Sequence, residues 1–236
     1  MDDRFSSTGT RGAGRWNDPP STLVAHASNV HDGTTQQPRS QLTHSEENTM
    51  TAPAPVLADL TGTWTLDPAH TRIGFAARHA MVTTVRGQFT SVQGTLELDG
   101  ANPTASTASV TIDTASFDTG VADRDGHVKS PDLLDVAQFP TITFVSTGAK
   151  LGKDEDSYVL AGDLTIRGVT RPVELAITFE GSSKDPFGNV RAGFTGTTSI
   201  SRKDFGLTYN AVLETGGVLI SDKVKIELDV SAIKSS

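Results

Sequence analysis

Three histidines, His70, His79 and His127, are the side chains beyond residue 58 best suited to proton transfer or metal ligation near neutral pH. Either chemistry needs a second polar group to converge on the imidazole. His70 and His79 stand nine positions apart, so a continuous strand would point them to opposite faces unless a bend intervenes. Hydrogen-bonding the loops at a rim of the fold suits them better than holding a metal. His127 belongs to a dense mixed-charge group with Arg124, Asp125, Asp132 and Asp135, inside the run DRDGHVKSPDLLDVAQFP at residues 123–140. Ser199, Ser201 and Thr198 offer hydroxyls but no obvious base. The chain has no cysteine, and it carries no G-x-S-x-G elbow, no phosphate-cradling loop and no HExxH. Its acidic residues fall mostly on outward faces. No catalytic residue and no metal ligand is assigned, and the chain reads as a non-enzyme.

The elements that must position these groups are strands. Val173, Leu175, Ile177 and Phe179 alternate with Glu174, Ala176, Thr178 and Glu180, and Val224, Ile226, Leu228 and Val230 alternate with Lys225, Glu227 and Asp229. Period two with one apolar face is the pattern of half-buried antiparallel strands. Residues 72–77, 85–98, 108–113, 141–146, 158–166 and 191–200 fit the same template, giving about eight strands in an all-β, antiparallel fold. Asp99-Gly100, the polar stretch 153–157, Arg167-Gly168 and residues 185–189 supply turns between them.

Small residues recur in phase with large inward ones: Gly87 with Val85 and Phe89, Gly162 with Leu160 and Leu164, Ala192 and Gly196 with Phe194 and Ile200. Repeated inward glycines suit a strongly coiled sheet closing on a lined interior, and they suit ordinary bends in a sandwich equally well. The run at 123–140 interrupts the alternation. Ser130-Pro131-Asp132 predicts the start of a short helix, with Leu133, Leu134 and Val136 on its apolar side and Phe139-Pro140 as its end. Such a helix is too short to stand alone and must pack as a lid or plug.

Composition bounds the rest. Residues 1–58 are rich in Ser, Thr, Gly, Gln and Asn with scattered apolar positions, and are expected to be a disordered tail ahead of one folded domain at 59–236. Met50 opens a second natural start, so residues 1–49 need not always be translated. No secretory leader is recognisable, and a cytoplasmic location is expected. No apolar run reaches the ~18 residues of a membrane-spanning helix. A net charge of −8 argues against nucleic acid as a partner.

Six motifs in order carry a resemblance: Asp67-Pro68-Ala69-His70-Thr71; Phe75 with Arg78-His79; Gly87-Gln88-Phe89; the run RDGHVKSPDLLDVAQFP; residues 164–172; and Ser201-Arg202-Lys203-Asp204-Phe205-Gly206. From about Gly62 to Ser231 the chain resembles the YceI-like family. The resemblance implies an extended lipocalin-like barrel of eight antiparallel strands with one short helix in an insert. It further implies a long-chain amphiphile as guest, a polyisoprenoid or isoprenoid quinone, with no cofactor and no chemistry. Many relatives carry a secretory signal, which this chain does not show. Phe75, Phe89, Leu164, Ile166, Leu175, Ile177, Phe194 and Ile226 are then expected to line the interior, and Gly162→Leu to lower lipid occupancy without loss of the fold. His70, His79, Arg124, His127, Asp132 and Asp135 are either a solvated capping network or a polar gate that meets a lipid headgroup. Transient membrane contact and a homodimer are compatible with such a barrel. An interaction module without a lipid guest would fit the acidic surface, though no motif supports it.

Overall fold

The computed structural model describes residues 57–214 and 216–235. The expected tail lies outside these residues, except that 57 and 58 open a short 3-10 turn, Leu57–Leu60. Eleven strands follow: β1 (Gly62–Leu66), β2 (Arg72–His79), β3 (Thr83–Phe89), β4 (Val92–Leu98), β5 (Thr107–Asp113), β6 (Phe117–Asp118), β7 (Thr141–Leu151), β8 (Ser157–Ile166), β9 (Val169–Lys184), β10 (Val190–Ser201) and β11 (Ile220–Lys234). They form one antiparallel sheet, and a β1–β11 pairing closes β1-β4-β5-β7-β8-β9-β10-β11 into an eight-stranded barrel. Closure leaves those strands no free edge along the ring.

The three remaining strands are continuations. β2 follows β1 along the same edge of β11, β3 leads into β4, and β6 extends β5 to pair with β3. Each break has a local cause. Between β1 and β2 the Asp67 carboxylate accepts the Ala69 amide at 3.0 Å, while the Asp67 amide donates to Ser231. Between β5 and β6 the Asp113 carboxylate accepts the Ala115 amide at 2.9 Å and caps the 3-10 turn Thr114–Ser116. Between them, Thr90 donates to the Ser116 carbonyl and Asp113 to the Ser91 carbonyl. Side-chain oxygens that satisfy a nearby amide let a strand bend without an orphaned donor. With the backbone bonds at Thr90 and Ser91, three neighbouring strands bend at one level. Alternation alone missed β6, which has two residues, and β1, where Trp64 and Leu66 are the only two apolar positions; it also ran β3 and β4 together.

The insert differs from expectation in where its helix lies. The only α-helix among the described residues is α1 (Ala122–Lys129), and Ser130 ends it with extended φ and ψ of −70° and 170°. Pro131 is the reason. Its ring disfavours helical geometry at the residue before it, so Ser-Pro acts here as a stop rather than a start. The following residues fold into turns, with Leu133, Asp135 and Val136 donating to the carbonyls of Ser130, Ser130 and Lys129. Leu133 and Leu134 are buried all the same, against Phe117, Ile142, Phe144, Leu164 and Ile166. A second cluster gathers Leu60, Trp64, Leu66, Ile73, Val92, Leu96 and Phe179 on the side of β1. Trp64 is fully buried and its indole N–H donates to the Leu60 carbonyl at 2.8 Å, which satisfies the one polar atom it takes into the core.

Candidate functional site

The barrel is hollow. A cavity of about 770 Å³ touches both core clusters and extends from Asp99, Gly100 and Pro103 to Arg78, His79, Arg124 and His127. Its wall is made by the inward positions of the strands, so period two in the sequence becomes a continuous apolar lining. All eight residues expected in the lining, Phe75, Phe89, Leu164, Ile166, Leu175, Ile177, Phe194 and Ile226, border it. Phe75 stacks on Phe117 with centroids 4.8 Å apart, and Phe89 meets both rings at 5.8 and 5.7 Å. The three rings form one aromatic wall. Phe117 escaped sequence reading because it lies on the two-residue strand β6; Phe144 alternates in phase with Ile142 and was legible as an inward position.

The inward glycines do not enlarge the cavity directly. A Cβ on Gly162 would lie 2.3 Å from the Phe144 ring and 2.7 Å from the Val145 carbonyl, and one on Gly87 2.4 Å from the Phe75 ring. These glycines are seats for aromatic side chains of the neighbouring strand, the same complementarity that rescues strand glycines elsewhere. Gly162→Leu therefore would strike backbone and damage the strand pairing, contrary to expectation. A lining residue with free space before it, such as Ala108, is the proper place to obstruct the cavity.

The six polar positions separate into two groups. His79, Arg124 and His127 border the cavity at one rim. Asp132 stands beside them, its carboxylate 3.3 Å from His127 Nε2, and the His127 ring meets Tyr209 edge-on at 4.6 Å. Asp135 takes left-handed backbone at φ 49° and shapes the turn after α1. Arg124 donates to the Thr119 hydroxyl at 2.7 Å and to its carbonyl at 3.2 Å. Asp125 is buried and accepts the Thr119 amide at 3.1 Å and its hydroxyl. Burial alone would raise the Asp125 pKa, but the Thr119 donors outweigh it and hold the carboxyl below its ordinary value.

His70 belongs elsewhere. Its Nδ1 lies 2.6 Å from Asp67 at the β1–β2 bend, away from the cavity wall. Asp67 also accepts the Arg191 guanidinium, whose Nε donates to Asp185 at 2.8 Å. The Arg191 hydrogen bond, reinforced by His70 and the Ala69 amide, holds the Asp67 carboxyl at about 2 in spite of its burial. The motif Asp67-Pro68-Ala69-His70 thus fixes a bend and carries no chemistry at the cavity. His70 and His79 are separated by the β1–β2 bend, since only His79 lies on β2.

Two further basic residues hold this end of the barrel, Arg202 at the cavity and Arg167 at the insert. Arg202 is 5% exposed and borders the cavity, donating to the Ser221 carbonyl at 3.1 Å and to that of Leu207. Burial pushes its pKa down, with Asp222 opposing. Arg167, at the β8–β9 turn, donates at 2.9 Å to the carbonyls of both Leu133 and Pro131 and so ties the insert to the barrel. Among the described residues no three His, Asp or Glu side chains gather as a metal site would require. No described helix is long and apolar enough to cross a membrane.

Comparison with known proteins agrees with this geometry. The YceI-like domain is matched over residues 64–232. A UPF0312 protein of Ectopseudomonas mendocina is 45% identical over 139 residues, covering 59% of this chain and 72% of the relative. Among solved structures, Burkholderia cenocepacia BcnA shares 25% identity at a TM-score of 0.62, covering 70% of this chain and 98% of BcnA. A polyisoprenoid-binding domain from Saccharophagus degradans has the same fold at a TM-score of 0.56 and 17% identity, covering 73% of this chain and 98% of that domain. With its kinked barrel, hollow interior and a match across nearly all of the described residues, the chain belongs to the YceI-like family.

Proposed function

We propose that the cavity holds the hydrocarbon tail of a long-chain amphiphile, of polyisoprenoid or isoprenoid quinone type, and that the protein carries or stores it without chemical change. The apolar cavity of about 770 Å³ running through the barrel supports this reading most directly. Eleven residue pairs join β10 and β11, which at strand rise and barrel tilt gives a wall about 28 Å tall. That height suits an extended chain better than a compact metabolite. The Phe75, Phe89 and Phe117 rings offer π faces along the tail, while His79, Arg124 and His127 stand where a polar head would emerge.

Affinity of this kind has a specific origin. Counted from water, burial at ~0.8 kcal/mol per methylene would exceed any known binding energy for a long prenyl tail. Such lipids start in a bilayer, so the hydrophobic gain on transfer into the barrel is close to zero. Close packing on the wall and polar contacts to the head must supply the selectivity. Ala108 borders the cavity and touches both core clusters, so Ala108→Phe obstructs its middle. Native mass spectrometry of the full chain is expected to show a bound amphiphile in the wild type and at least tenfold less in Ala108→Phe at equal folded fraction. Equal occupancy would refute the assignment of the cavity as the binding site.

A further inference from the structure

The β2–β3 turn is built against its own backbone preference. Ala80 and Met81 both take left-handed φ, 47° and 61°, and the Val82 amide donates back to the His79 carbonyl at 3.1 Å. Paired left-handed residues are the province of Asn-Gly and similar turns, because a side chain beyond Cβ crowds the following carbonyl. The β8–β9 turn of this same barrel follows that rule at its second position, with Arg167 at φ 50° and Gly168 at φ 71°. At β2–β3 the chain instead carries a methionine 53% exposed, followed by a valine 75% exposed. Side chains this exposed contribute little to packing, and strain retained at an exposed tip points to a use outside the fold.

The tip stands beside the cavity rim. The Ala80 amide donates to the Leu219 carbonyl at 2.7 Å, and Leu219 borders the cavity with Arg78 and His79. Val212 and Val218 pair across the adjoining segment and are 86% and 38% exposed. The Arg78 guanidinium braces the tip through the Met81 carbonyl at 2.7 Å and the Thr84 hydroxyl at 3.1 Å. No carboxylate lies on the tip, and Glu214 is the one charge among the described residues of the neighbouring segment. The opposite end also exposes apolar side chains, Leu151 and Phe187, but there Asp154, Glu155, Asp156 and Asp185 interleave with Lys150, Lys153, Lys184 and Arg191, so charges of both signs surround them. An end so densely charged gains less from an apolar interface than the β2–β3 tip does.

We infer that the rim bearing Met81, Val82, Val212 and Val218 is a bilayer-docking surface, placing the tunnel mouth on the leaflet from which the amphiphile enters. This rests on the reading of the tunnel as a lipid site. Exposed apolar side chains beside a rim lined by His79, Arg124 and His127, with Arg78 available to lipid phosphate, fit an interfacial anchor.

The variant Ala80→Asn/Met81→Gly/Val82→Ser gives the turn the residues its backbone favours, so it is expected to fold with an equal or higher Tm. Its partition onto vesicles of phosphatidylcholine with phosphatidylglycerol should fall at least tenfold relative to the full wild-type chain, while uptake of cis-parinaric acid from detergent stays unchanged. Phe187→Ser should bind vesicles as the wild type does. Unchanged vesicle binding by the triple variant overturns the proposal, as does loss of binding in Phe187→Ser. Conversion of a dimer to a monomer at unchanged vesicle binding would overturn it too, by giving the tip to a second copy. A wild-type chain that binds vesicles but takes up no probe would instead refute the tunnel reading, and the two failures are thereby distinct.

Discussion

Asp67→Asn tests whether the most histidine-like piece of chemistry in the sequence is structural. The substitution keeps the shape of the side chain and removes its charge. Asp67 is 10% exposed at its side chain and sits between His70 and Arg191. Its carboxyl is held at about 2 against an ordinary 3.8, worth about 2 kcal/mol of folding free energy at about 1.4 kcal/mol per tenfold in proton affinity. Because the folded pKa is depressed, that stability is fully present above pH 3.8 and is lost as pH falls through about 2. Urea unfolding at pH 7 should therefore show Asp67→Asn weaker by about 2 kcal/mol, a Tm drop of roughly 4–8 °C for a domain of this size. Near pH 2 the variant and the wild type should approach one another. An equal gap at both pH values, or none at pH 7, would refute the assignment of this cluster as the clamp on the β1–β2 bend. Amphiphile occupancy at pH 7 should not change, since neither Asp67 nor His70 borders the cavity.

Further outcomes follow from single contacts. Arg167→Ala removes two charge-assisted hydrogen bonds to the insert and should lower stability by about 2 kcal/mol in thermal unfolding, with raised hydrogen exchange concentrated at residues 130–139. Gly162→Ala brings a Cβ to 2.7 Å of the Val145 carbonyl and should destabilise the fold by about 1–3 kcal/mol; a neutral result would show that the β7–β8 pairing yields more easily than its geometry implies.

Much of the barrel was legible in the sequence, and the reason is that its walls obey one rule. Each long strand alternates between an apolar interior and solvent, so Leu164, Ile166, Leu175 and Ile177 could be placed on an inward face from period alone, and only the family resemblance made that face the lining of a cavity. What period could not supply was the level at which strands bend. The breaks at Asp67 and Thr114 depend on the Asp67 and Asp113 carboxylates finding particular amides, and that at Thr90-Ser91 on backbone bonds to Ser116 and Asp113; those partners are set by the folded chain. The Ser130-Pro131-Asp132 triplet misled for a related reason. A proline may begin a helix or forbid one before it, and the packing of Leu133 and Leu134 against Phe117 and Leu164 decides between them. Arg202 was visible only as part of a motif, because nothing local in Ser201-Arg202-Lys203 signals that the middle side chain turns inward.

The central claim is that the barrel carries a hydrocarbon guest. Organic extraction of the natively purified full chain, followed by quantitative mass spectrometry, tests it most directly. The wild type is expected to release a long-chain amphiphile at close to one per protein, and Ala108→Phe at least tenfold less. An extract free of long-chain lipid, together with no uptake of a prenyl amphiphile supplied in detergent, would contradict it.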